Sequence, residues 1–93
     1  MYVVLVYDIK SDLKESSRIT NNVFKICKKF LVHVQNSVFE GNLNKAQFLD
    51  LNFQLKKYLR EGTDSCIMFK SNNDKWLTKE FVVYEENKNT NML

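Results

Sequence analysis

Proline is absent from the 93 residues and glycine occurs only twice, so the chain has neither a proline-rich linker nor a glycine-rich loop that could cradle phosphate. The single histidine, His33, has no nucleophile motif around it, which leaves no basis for a Ser/His/Asp or Cys/His catalytic set. Cys27 and Cys66 stand far apart with no CxxC between them, and offer neither metal-ligand spacing nor a disulfide framework. They read as buried thiols. No apolar run approaches the roughly 20 residues needed to cross a bilayer. The chain opens on a strand-like run without a basic segment, an apolar signal core or a small-residue cleavage site, so a cytoplasmic protein is expected.

What remains is the composition of a folded domain: 44% hydrophobic and 13% aromatic residues, enough to build a core. A single domain of this size buries only about 60 to 65% of the surface exposed on unfolding, so pairing with a second copy would help it. Fourteen Lys and Arg against eleven Asp and Glu give a net charge of +3. That bias eases approach to nucleic acid without deciding the partner.

Residues 2–7 (YVVLVY) form a continuous apolar, β-branched run, the pattern of a central strand covered on both faces. Ser11 or Asp12 is the expected cap of a first helix, whose apolar positions Ile19, Val23, Ile26, Cys27, Phe30 and Leu31 recur at three- and four-residue spacing, with Lys25, Lys28 and Lys29 outward. Residues 32–43 read as two short strands. Asn44 with Gln47 resembles a capping box for a second helix, striped by Phe48, Leu51, Leu55, Tyr58 and Leu59 and ended by Gly62. Residues 65–70 (SCIMFK) form another strand, 71–74 (SNND) a turn and 81–84 (FVVY) a last short strand. The order βαββαβ with both helices on one face predicts an α+β, ferredoxin-like domain over residues 1–84, with an additional C-terminal strand and a flexible tail over 85–93. An apolar strand outside the minimal unit needs a partner, and the sheet of a second chain is one. Trp76 is a candidate cover for such a seam.

Chemistry centres on Asp8, a carboxylate directly after the first strand, where side chains emerge beside loops. An Asp in that place is also a common turn former. One carboxylate is a poor cage for Mg²⁺, whereas a two-fold axis near the strand end would bring Asp8 of both chains together. Lys10, Lys14 and Arg18 follow closely enough to grip a phosphate, although a solvated face explains them as simply. Arg60 reads as a complement to the dipole of the second helix. Phe39 is a candidate base-stacking platform, with core packing favoured by strand alternation. His33, opposite Val32 and Val34 in strand phase, is expected at the surface rather than on a metal.

Residues 2–9 (YVVLVYDI) and 34–43 (VQNSVFEGNL) resemble the two signature segments of the CRISPR-associated protein 2 family, and residues 64–70 (DSCIMFK) are similar to that family's fourth strand. The likeness extends over nearly the whole chain. It implies a ferredoxin-like homodimer of a prokaryotic cytoplasm, in which Asp8 binds a divalent metal, Mg²⁺ or Mn²⁺, at the subunit interface. It implies endonuclease activity on RNA or duplex DNA and a place in CRISPR adaptation, the acquisition of spacers, bridging integrase subunits. It also makes Arg18 and Phe39 substrate contacts. Two readings follow: a metal-dependent phosphodiesterase, and a DNA-binding scaffold whose integrase partner does the chemistry. A ligand-binding regulatory domain is a third, since fold alone does not set function.

Overall fold

The computed structural model describes residues 1–72, 80 and 82. Six elements follow one another: β1 (Tyr2–Asp8), α1 (Ser16–Phe30), β2 (Val32–Gln35), β3 (Val38–Asn42), α2 (Lys45–Lys56) and β4 (Ser65–Ser71). The sheet runs β2-β3-β1-β4, with every neighbouring pair antiparallel. This is the ferredoxin-like α+β arrangement expected from the element order. Residues 81–84, read as a further strand, lie outside the described residues except for Val82, as do Trp76 and the tail over 85–93. No helix among the described residues is long and apolar enough to cross a membrane.

Strand alternation divides β1 between two surfaces. Val3, Leu5 and Tyr7 point to the helices and are buried with Ile19, Val23, Ile26 and Cys27 of α1 and Leu51 and Leu55 of α2. Tyr2, Val4 and Val6 point the other way and are half-buried. Of the two covered faces expected for this strand, helices account for one among the described residues. Gly41, paired with Val3 on the covered face, sits close under the start of β2, where a Cβ would meet Leu31 Cδ2 at 3.1 Å.

The helices depart from expectation at their ends. α2 begins at the predicted capping box, with Gln47 N donating to Asn44 Oδ1 at 2.7 Å and Asn44 N donating to Gln47 Oε1 at 2.9 Å. It stops at Lys56 rather than near Gly62. Tyr58 and Leu59 continue its apolar stripe from the following turns and pack on the core, and Gly62 takes a φ of 81° in the turn before β4. α1 starts at Ser16, later than caps at Ser11 or Asp12 would allow, because Asp12 and Glu15 both adopt positive φ. The intervening segment is a loop held by long-range hydrogen bonds rather than a first helical turn.

Candidate functional site

Asp8 ends β1, opposite Ser65 at the start of β4, and is exposed. Its phase puts it on the face away from the helices, in line with Val6 and Val4. Beside them on that face stand Val38 of β3 and Ile67 and Phe69 of β4. Ile67 and Phe69 are 53% and 59% exposed. A carboxylate therefore emerges at one end of an apolar strip.

The chain after Asp8 is fixed by a pair distant in sequence. Asp64 has a side chain with no exposed surface and forms a salt bridge with Arg60, whose Nε lies 2.8 Å from Asp64 Oδ2. Arg60 Nη2 donates to Asp64 Oδ1 at 2.9 Å, and the Lys10 backbone N–H donates to the same oxygen at 3.0 Å. The rest of the guanidinium reaches back into the loop: Nη1 donates to the Lys14 carbonyl at 3.1 Å, and Nη2 to the Lys10 carbonyl at 3.0 Å and Ser16 Oγ at 3.1 Å. Ser16 Oγ in turn donates to the Lys10 carbonyl at 2.6 Å. Hydrogen bonds from Arg60 hold the Asp64 carboxyl down at about 2, well below the usual carboxylate range. Sequence reading missed this pair, having taken Arg60 for a dipole complement. The only local hint was an (i, i+4) Arg/Asp spacing in a segment that is not helical.

The other candidates divide. Lys10 and Lys14 are exposed on the clamped loop. Arg18 is also exposed and pairs with Glu15, Nη2 to Oε1 at 2.6 Å. Such a surface pair is screened by salt and readily exchanged for another anion. For Phe39 the base-stacking role is corrected and the core packing favoured by alternation holds: it is fully buried, its ring 6.1 Å from that of Tyr7 and edge-on to Phe24 at 5.5 Å. With both faces inside the core it has no surface on which to stack a base. His33 is corrected too. Its ring packs 4.9 Å from Phe39 and 5.0 Å from Phe24, half-buried on the helix side, and Nε2–H donates to the Asn36 carbonyl at 2.8 Å. A bulge between His33 and Gln35 accompanies this placement. Both cysteines are free; burial pushes the Cys27 thiol up to about 12 and Cys66 to about 11.

Whether these residues suit a divalent metal turns on counting donors. No group of three or more His, Cys, Asp or Glu side chains able to hold a metal ion occurs among the described residues. Asp64, near Asp8 across the strand pair, has both oxygens occupied. Among the described residues, Asp8 stands exposed at this strand end while the Asp64 carboxylate is engaged. One carboxylate is a poor cage for a hard cation, and a second Asp8 would make the donor set a better fit.

Fold and site together define a small ferredoxin-like α+β domain with an exposed carboxylate at the end of its first strand and two exposed lysines on the loop that follows it. The chain belongs to the family described as CRISPR associated protein Cas2, which matches residues 1–79. It is 47% identical over 93 residues to the CRISPR-associated endoribonuclease Cas2 of Fusobacterium nucleatum, covering 100% of this chain and 87% of that one. With the protein of the same name from Methanosarcina acetivorans it shares 39% identity over 77 residues, 83% of this chain and 82% of the relative. Among solved structures, a crystal structure of Cas2 superposes with a TM-score of 0.76 at 32% identity, covering 95% of this chain and 93% of that chain. Streptococcus pyogenes Cas2 gives 0.73 at 28% identity, with 87% and 99% covered.

Proposed function

We propose that this chain works as a homodimer in CRISPR adaptation, with a divalent-metal-dependent endonuclease site built from the Asp8 carboxylates of both subunits, acting on RNA or DNA beside a CRISPR integrase subunit. The observation that carries the reading is the position of Asp8: exposed, and on the same sheet face as the uncovered apolar strip. Two such strips packed about a two-fold axis bury Val4, Val6, Val38, Ile67 and Phe69 and bring the two strand ends together. RNA is favoured as substrate by relatives that carry the name endoribonuclease at 47% and 39% identity.

In this reading the Asp8 pair holds Mg²⁺ or Mn²⁺. When bound, the ion supplies Lewis-acid polarisation of a phosphoryl oxygen and lowers the pKa of water. Lys10, Lys14 and Arg18 bind backbone phosphates on either side of the scissile one, Arg18 by exchanging Glu15 for phosphate. His33 takes no part, being packed among aromatic rings. A second reading, a DNA-binding scaffold whose integrase partner does the chemistry, is favoured by the lack of any group of three metal-ligating side chains around Asp8 among the described residues.

Cleavage of labelled RNA and duplex DNA with Mg²⁺ or Mn²⁺ separates the two, comparing wild type, Asp8→Asn and a chelated control, each verified as folded. Loss of cleavage in the variant and the chelated sample alone supports the nuclease. Salt-sensitive DNA binding that survives Asp8→Asn, with no cleavage by any sample, supports the scaffold. Equal cleavage by wild type and variant removes Asp8 from the chemistry.

A further inference from the structure

The loop between Asp8 and α1 is closed on itself by two hydrogen bonds from Ser16, Oγ to the Lys10 carbonyl at 2.6 Å and N–H to the Leu13 carbonyl at 3.2 Å. Asp12 and Glu15 adopt φ of 67° and 68°, a region that side-chain-bearing residues rarely occupy. No side-chain cap stands at the start of the helix that follows. The contacts that tie the loop to the rest of the domain converge on Arg60 and Asp64. Arg60 binds the carbonyls of Lys10 and Lys14, and Asp64 binds the N–H of Lys10. Those backbone groups belong to Lys10 and Lys14, both exposed on the loop that leaves the Asp8 end of β1.

We infer that Arg60 and Asp64 are positioning residues for nucleic acid, acting through the loop to hold Lys10 and Lys14 where they meet backbone phosphates next to Asp8. The planar guanidinium suits this because it reaches two carbonyls, a hydroxyl and a carboxylate at once, and a lysine ammonium cannot span that set. Asp64, without exposed surface, cannot reach a phosphate itself and serves to orient the fork. This role rests on the reading of Lys10 and Lys14 as phosphate-binding residues.

Charge and positioning predict opposite signs for one substitution. Asp64→Asn is close to isosteric and raises the net charge, so electrostatics alone would tighten RNA binding. Loosened positioning would weaken it. The test is the affinity of a labelled single-stranded RNA in chelator, which requires no metal and no cleavage, across a salt series. Wild type, Asp64→Asn, Arg60→Lys, Lys10→Ala/Lys14→Ala and the combination of Asp64→Asn with both lysine changes are compared, with circular dichroism confirming each fold. Asp64→Asn and Arg60→Lys are expected to bind about tenfold more weakly, within the range seen when supporting partners of functional groups are removed. The salt slope should flatten by roughly 0.7 for each phosphate that is no longer neutralised. The lysine changes should cost much less in the Asp64→Asn background than in wild type. Tighter or unchanged binding by Asp64→Asn, or a lysine effect of equal size in both backgrounds, overturns the positioning role and leaves the lysine reading intact. Wild-type affinity in the lysine double variant overturns both. Should Asp64→Asn unfold, Arg60→Lys decides, since it conserves charge and its cost can come only from the missing fork.

Discussion

The two faces of the sheet are made from the same kinds of residue and have different fates. On the helix side, Val3, Leu5 and Phe39 are fully buried. On the other, Val32, Ile67 and Phe69 are each more than half exposed, though no less apolar. Each face follows the strict period of two, so both register as hydrophobic in the strand pattern. The difference lies in supply: two helices cover one face and, among the described residues, nothing in the chain covers the other. An apolar sheet face of this kind marks an interaction surface rather than a core.

The strongest way to break the comparison is to remove an anchor of the covered face. Phe39→Ala deletes a ring packed against Tyr7, Phe24 and His33 and is expected to cost about 3 to 5 kcal/mol by urea denaturation. The open face should respond differently. Ile67→Asp with Phe69→Asp is expected to leave the circular dichroism spectrum unchanged while shifting sedimentation from dimer to monomer, by at least about tenfold in dissociation constant, the order expected for removing an apolar anchor. Loss of the fold at low protein concentration in that variant would mean that the open face supports the monomer after all.

Smaller effects sharpen the contrast at the strand end the two faces share. Asp64 titrates at about 2 in the folded chain, below its ordinary 3.8, so its contribution to stability is present above the ordinary value and fades as pH falls through the folded one. The stability gap between wild type and Asp64→Asn should stay constant at neutral pH and close in that acid window, followed by thermal melts across pH. The smallest effect belongs to the thiols. With Cys27 and Cys66 raised to about 12 and about 11 by burial, both stay protonated at neutral pH, and native protein should react slowly with iodoacetamide. Alkylation as fast as in urea would place the thiols outside the core.

Most of the fold was legible because its signals are local. The run of residues 2–7, the helical stripe from Ile19 to Leu31 and the Asn44/Gln47 capping box each declare an element within a few residues of sequence. Asp8 was legible as a position, an acidic residue closing an apolar strand. His33 was misplaced because a bulged two-strand ribbon has two faces and alternation does not tell which one the helices take, whereas Phe39 went to the core that alternation favoured.

By itself the sequence determined the order of elements, the apolar character of the strands and the presence of a carboxylate at the end of β1, since these follow from propensities and spacings that act over a turn or a pleat. Only the tertiary structure decided which sheet face is covered and that Asp64 is engaged and unavailable to a metal. It likewise revealed that Arg60 grips the loop beside Asp8 from 46 and 50 residues away. The physical reason is that a hydrogen bond between distant residues leaves no period in the chain. It exists only once packing has brought its donor and acceptor together.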